Sequence, residues 1–308
     1  MTLEEENGES TSDGRLIVGI GEALWDMLPS GKHLGGAPLN FAYIASLLGN
    51  RSVIASRVGE DSLGREIRSK LNARNLDTSA IQTDPKLPTG TVDVRFQNGQ
   101  PEYDIRKPVA WDALEWSSEW QGLARCCDAV CFGTLAQRSA QSRSTILRFL
   151  DHTRASCLKV FDINLRQPFY SREMIEAALP FTTMLKMNDL ELPQVAEMFS
   201  IAGSSPAELM LAMHQKFRVK LLFVTRGERG AAASDGSTVV EHPGFPVQVC
   251  DTIGAGDAFS AAATHCLLRG VELGQTLAFA NRWASWVASQ PGGMPVLKED
   301  KRQAMALN

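Results

Sequence analysis

Short apolar runs alternate with helix-patterned stretches along most of the 308 residues, and that alternation leaves few folds open. Residues 15–20, 52–58, 128–132, 158–161 and 221–225 each have the length and apolar content of a buried parallel strand. Helical patterns fit between them. Phe41, Ile44 and Leu48 share one face of a helix over 37–48, and Gly49 supplies the left-handed residue that closes it. Ser205-Pro206-Ala207-Glu208 opens another: the serine caps, the proline suits the first helical position, and Glu208 completes a capping box. The expected class is α/β, with a mainly parallel central sheet flanked by helices.

Two stretches break the alternation. Residues 22–36 carry Pro29, Gly31, Gly35 and Gly36, too broken for a helix. Residues 86–110 are β-rich, and 91–96 with 101–106 read as a hairpin turning at Asn98-Gly99. Together they describe a small inserted β-sheet, of the kind that serves as a lid excluding water from a site.

The formal net charge of −4 argues against a nucleic-acid binder held by bulk positive charge. Glu4, Glu5, Glu6, Glu9 and Asp13 place five of the 35 acidic residues in the first thirteen, leaving 30 acidic against 31 basic side chains in the remainder. This acidic, Ser/Gly-rich stretch lacks the basic start and apolar run of a secretory signal and reads as a disordered tail over 1–13, with the folded domain at 14–308. Arg226, His265 and Arg269 interrupt the best apolar runs before they reach the ~18 residues of a membrane span, so the expected protein is soluble and takes no membrane partner. Cys126, Cys127, Cys131, Cys157, Cys250 and Cys266 show no CxxC pairing and no nearby histidine. They read as small buried hydrophobes, and reduced thiols without an export signal point to the cytoplasm.

Gly19-Ile20-Gly21 follows a strand, but Leu24 stands where a dinucleotide-binding turn needs its third glycine, and Gly31-Lys32-His33 lacks the upstream glycine of a P-loop. The run Asp251-Thr252-Ile253-Gly254-Ala255-Gly256-Asp257-Ala258-Phe259 is different, because it leads straight into an apolar, small-residue helix. Glycines at a helix start let backbone N–H groups converge on an anion, and the helix dipole adds to the attraction. A phosphoryl group fits there. Asp257 is either a favourable first-turn acid or the carboxylate that deprotonates an alcohol attacking phosphorus.

That run resembles the C-terminal signature of the PfkB/ribokinase family of small-molecule kinases. Six further motifs follow the family's order: Gly35-Gly36-Ala37-Pro38-Leu39-Asn40 with its companion Val58-Gly59-Glu60-Asp61-Ser62-Leu63-Gly64, Asp162-Ile163-Asn164-Leu165-Arg166, Asn188-Asp189-Leu190-Glu191, Thr225-Arg226-Gly227-Glu228-Arg229-Gly230 and Phe279-Ala280-Asn281. The resemblance covers about residues 15–297 and implies a ribokinase-like fold. It further implies Asp257 as base, with Gly254, Ala255 and Gly256 holding the migrating phosphoryl group. Asp26, Gly35, Gly36, Asn40, Arg106 and Arg166 are implied on the sugar side. Asn164, Asn188, Glu191, Thr225, Gly227, Gly230, Gly256 and Asn281 are implied on the nucleotide side. Glu191 would manage Mg²⁺ through water, and the carbonyls of Asp251 and Ile253 resemble part of a K⁺ site in some relatives. Without the resemblance, Asn188 and Glu191 read as a capping box and Asp26 as a turn residue.

Gly21-Glu22-x-Leu24-x-Asp26-x-Leu28-Pro29, with the double-glycine and Asp-x-Asn-x-Arg motifs, most resembles the fructokinase branch. That implies transfer from MgATP to the 6-hydroxyl of fructose. Leu34 before the double glycine and Val109-Ala110-Trp111-Asp112 after the hairpin depart from the usual pattern, both on the acceptor side. The alternatives are a 2-keto-3-deoxygluconate kinase, another sugar kinase of the family, or a catalytically inactive sugar-binding regulator. The resemblance also implies a homodimer through the lid.

Overall fold

Period-two alternation in the first strand decides how the two faces of the main sheet are filled. Val18 and Ile20 pack into one hydrophobic cluster and Ile17 into the other, and all three are fully buried. The computed structural model describes residues 14–28, 31–97, 100–166 and 168–307. The acidic segment 1–13 and the Asn98-Gly99 turn lie outside the described residues.

The chain runs through β1 (Leu16–Ile20), β2 (Leu24–Leu28), β3 (Gly31–Gly35), α1 (Ala37–Leu47) and β4 (Arg51–Gly59). Next come α2 (Ser62–Asn72), β5 (Ile81–Asp84), β6 (Gly90–Gln97) and β7 (Gln100–Ile105). Alternation resumes with α3 (Ser118–Cys126), β8 (Ala129–Phe132), α4 (Ala140–Asp151), β9 (Leu158–Asp162), α5 (Arg172–Ala178) and β10 (Met184–Asn188). After α6 (Glu191–Met198) and α7 (Pro206–Phe217) come β11 (Leu221–Thr225), β12 (Ala231–Ser234) and β13 (Val239–His242), then α8 (Ala255–Leu267) and α9 (Leu273–Ala288).

Nine strands form one sheet in the order β13-β12-β11-β10-β9-β8-β1-β4-β5. It is parallel from β11 to β5, with β12 and β13 added antiparallel at one edge. Four strands form a separate sheet in the order β3-β2-β6-β7, and β6 pairs with β7 as the expected hairpin. Trp25 of β2 is fully buried and donates its indole N–H to the Leu63 carbonyl of α2 at 3.2 Å, tying the second sheet to the body.

Local expectations are met with two differences. Ser205 caps α7 by accepting from the Glu208 N–H at 3.2 Å, but the Glu208 carboxylate turns to Ser204 N and Oγ, both at 2.7 Å, so the box closes one residue early. Cys127, Cys131, Cys157 and Cys266 are buried as expected, whereas Cys126 and Cys250 are exposed: the first faces outward on α3 and the second lies on the loop before α8.

Among the described residues no helix is long and apolar enough to cross a membrane. Asp162, Asn188 and Thr225 are the last residues of three adjacent parallel strands, and the carboxyl ends of such strands are where open α/β sheets bind ligands. The start of α8 is brought to the same region. Phe259 holds that helix down: it is fully buried, with its ring centroid 5.9 Å from that of Phe223 on β11, and burying a side chain of this size is worth about 1.5–3 kcal/mol.

Candidate active site

Gly254 takes a left-handed φ of 74° as the residue before α8, a conformation that side chains with a Cβ disfavour. A Cβ there would also overlap the Cα of Gly293. The turn therefore packs directly on the C-terminal loop, and no side chain caps the start of α8, where the Ala255 N–H donates to the Thr252 carbonyl at 3.3 Å. Asp257 projects from the first turn of the same helix.

The Asp257 carboxylate receives a hydrogen bond from Asn40 Nδ2 at 2.8 Å. Asn40 lies in the first turn of α1, and Pro38 is among the first residues of that helix, where its missing N–H costs nothing. Burial pushes the Asp257 carboxyl up to about 6, and the neighbouring Asp162 adds to this, while the Asn40 hydrogen bond, Lys186 and Arg166 pull the other way. A carboxylate so poised accepts a proton well near neutral pH.

Beside it, the double glycine shapes a cradle. Gly36 has φ 113°, and a Cβ on it would overlap the Glu22 carbonyl oxygen; one on Gly35 would overlap the Asp26 carboxylate. Asp26 lies opposite His33 across β2 and β3. Burial raises its carboxyl to about 6, with His33 and Arg166 drawing it down. Arg166 thus acts electrostatically on Asp26, Asp257 and Glu22 alike. Arg106 is exposed just beyond β7, its backbone N–H donating to the Thr91 carbonyl at 3.2 Å.

The Asn188–Glu191 pair does make the reciprocal turn that capping chemistry requires. Asn188 Oδ1 accepts from the Glu191 N–H at 2.8 Å, and Glu191 Oε2 accepts from the Asn188 N–H at 2.8 Å. The other oxygen, Oε1, accepts from the Leu165 N–H at 2.7 Å, next to Asn164, whose left-handed φ of 43° bends the chain out of β9. Burial raises the Glu191 carboxyl. With both oxygens occupied by backbone donors, Glu191 fits a Mg²⁺ reached through a water ligand better than one bound directly.

Thr225, Gly227 and Gly230 form the turn out of β11, beside an open cavity of about 400 Å³ lined by Arg226, Arg229, Glu241 and Pro243. Arg226 pairs with Glu241 at 3.0 Å. Asn281 is buried in α9 with its amide donating to the Leu277 carbonyl at 2.8 Å. The Asp251 carboxylate accepts from the Ile253 N–H at 2.9 Å and the Gly292 N–H at 3.2 Å, which holds the loop before α8 closed.

Sequence reasoning missed four residues at this centre. Lys186 is buried in β10 and bonds both oxygens of Asp162, at 3.0 and 3.1 Å. A lysine inside an apolar central strand was the available signal. Ser260 donates to Asp162 at 3.1 Å. Glu22 is buried, with Oε2 lacking a protein partner, and burial pushes its carboxyl up to about 7. Gly293 had no local signal: it matters only because a Cβ there would sit 2.7 Å from Asn40 Nδ2.

A mainly parallel sheet with an aspartate-bearing, glycine-led helix start, and a second small sheet built from early insertions, defines a ribokinase-like α/β protein. The family model for pfkB family carbohydrate kinases matches residues 30–300, and the chain belongs to that family. It is 29% identical over 302 residues to an uncharacterized sugar kinase of Pyrococcus horikoshii, covering 93% of this chain and 94% of that one. Fructokinase of Klebsiella pneumoniae is 29% identical over 315 residues, covering 95% and 100%. The crystal structure of the Pyrococcus protein in complex with ATP superposes with a TM-score of 0.77 at 27% identity, covering 92% of this chain and 96% of that one.

Proposed function

We propose that the protein transfers the γ-phosphoryl group of MgATP to a primary hydroxyl of a small neutral sugar, fructose to fructose 6-phosphate being the preferred reaction. The observation that carries this reading is the Asp257 carboxylate, hydrogen-bonded to Asn40 at 2.8 Å and set beside the uncapped amides of α8. Asp257 takes the proton of the acceptor hydroxyl as it attacks. Gly254, Ala255 and Gly256 offer N–H groups to the migrating phosphoryl oxygens, and the chemistry needs little beyond in-line positioning and neutralised charge.

On the acceptor side, Asp26 accepts hydroxyl hydrogen bonds, Gly35 and Gly36 let a ring approach the backbone, and Asn40 and Arg166 orient it, with Arg106 arriving from the second sheet. Arg106 and Arg166 would serve an acidic acceptor as well, so the preference for fructose over 2-keto-3-deoxygluconate rests on the fructokinase-like motif from Gly21 to Pro29. On the donor side, Asn164, Asn188, Thr225, Gly227, Gly230 and Asn281 frame ATP. When bound, Mg²⁺ neutralises phosphate charge, and Glu191 holds it through water. The carbonyls of Asp251 and Ile253 would hold a K⁺ ion, which exchanging K⁺ for tetramethylammonium tests. The second sheet, segments 22–36 and 86–110, closes as a lid and pairs two subunits. The enzyme works in the cytoplasm.

ADP release from MgATP with a panel of hexoses, pentoses, sugar acids and nucleosides tests the reading. Fructose should give the highest kcat/KM. A preference for 2-keto-3-deoxygluconate would replace the acceptor, and no ADP above background with any of them would leave a sugar-binding regulator.

A further inference from the structure

Lys186 and Asp162 form a buried ion pair directly under the proposed phosphoryl pocket. Lys186 Nζ lies 3.0 and 3.1 Å from the two Asp162 oxygens, and Ser260 Oγ of α8 donates to the same carboxylate at 3.1 Å. A Cβ on Gly256 would stand 3.0 Å from the ammonium, so the charge rests against the first turn of α8. The strand around it is apolar, with Leu185 and Met187 both fully buried. An aliphatic residue would fill this place without the desolvation cost of a charge. Packing alone therefore does not account for a lysine. Asp162 and Asp257 also line one small cavity together with Ser260.

We propose that Lys186, seated by Asp162, is a positioning residue of the transfer centre: its fixed positive charge beneath Gly256 serves both the Asp257 carboxylate and the phosphoryl group held by the α8 amides. The proposal rests on the sugar-kinase reading. The charged and titratable groups facing this spot are Asp162 from β9, Glu191 from α6, Glu22 from the loop after β1, Arg166 from the loop after β9, and the Cys131 thiol of β8. Burial holds that thiol well above its ordinary range, so it stays neutral. Burial opposes the charge on Lys186, but Asp162, Glu191 and Asp257 outweigh it and keep the ammonium protonated. Asp162 makes the Asp257 proton harder to lose, and Lys186 makes it easier. Removing one or the other must therefore move Asp257 in opposite directions, and only a part in the transfer centre would also change turnover.

The test is the carboxyl titration of Asp257 in the full chain, read by ¹³C NMR of aspartate-labelled protein and assigned by the signal lost in Asp257→Asn. Lys186→Met should raise the midpoint by about one pH unit and Asp162→Asn should lower it by a similar amount. Where Lys186→Met alone does not fold, comparing Asp162→Asn with Asp162→Asn/Lys186→Met isolates the lysine without orphaning a buried carboxylate. In parallel, Lys186→Met should lower kcat about tenfold or more with the sugar KM little changed, and Lys186→Arg should recover part of it. Midpoints that stay still, or move the same way in both folded single variants, overturn the proposal. Opposite midpoint shifts with normal turnover in Asp257→Asn would uphold the electrostatic coupling and overturn the base role it is proposed to serve.

Discussion

Asn40 Nδ2 and Asp257 Oδ2 meet at 2.8 Å although 217 residues separate them in the chain. One comes from the first turn of α1 and the other from the first turn of α8, so two helix starts converge on one carboxylate. The amide fixes the carboxylate's orientation and, by donating to it, favours its charged form.

In the proposed reaction, replacing that carboxylate by an amide removes the acceptor of the proton and leaves the shape intact. Asp257→Asn should lower kcat by about 10²–10⁴-fold while ATP affinity, measured by calorimetry, stays within a few-fold of the parent. Near-normal turnover would take Asp257 out of the reaction.

The acid side of the pH–rate profile should report the same group. Asp257 must be ionised to act, and burial with Asp162 places its titration at about 6. Turnover is expected to hold above neutrality and to fall tenfold per unit well below pH 6. A profile flat down to pH 5 would contradict this assignment.

Gly293 offers a way to disturb the pair without touching it. A methyl group there would press on the amide of Asn40 at 2.7 Å, and a side-chain end yields more readily than backbone. Gly293→Ala should therefore leave the melting temperature within a few degrees of the parent while lowering kcat about tenfold, since misplacement by about 1 Å at such a centre can cost up to 10²-fold. Equal kcat in the two proteins would show that the Asn40 contact is dispensable.

Glu22 predicts an effect on stability. Its carboxyl is raised from 4.5 to about 7 by burial, so the folded state holds this proton more tightly than the unfolded chain does. Stability from this group is present below pH 4.5 and is lost as pH rises towards 7. Glu22→Gln removes the titration, so its stability relative to the parent should improve by on the order of 3 kcal/mol between pH 4.5 and pH 8 in denaturant titrations. A difference that does not change with pH would mean that Glu22 titrates normally.

The α/β alternation, the strand ends and the glycine-led start of α8 were legible because each depends on neighbours within a few residues. Leu221–Thr225 emerged with the bounds expected of it, and β6 pairs antiparallel with β7 as expected of the hairpin strands. Asp257 stands out in the sequence for the same reason, as part of an unbroken motif. Glu208 was misjudged by one partner because Ser204 and Ser205 are adjacent and the backbone path decides which of them the carboxylate reaches.

Glu22 and Gly293 could not be read in this way, and Lys186 left only the sign of a charge in an apolar strand, because their importance lies in what the fold lays against them. Lys186 has meaning only with Asp162 at 3.0 Å and Gly256 above it, contacts made by three elements distant in the chain. Local pattern determines which segments become strands and helices, since propensity, capping and periodicity act over one or two turns. Burial and charge proximity are properties of the assembled centre. Packing β9, β10 and α8 together decided which carboxyls hold their protons and which glycines have no room for a side chain.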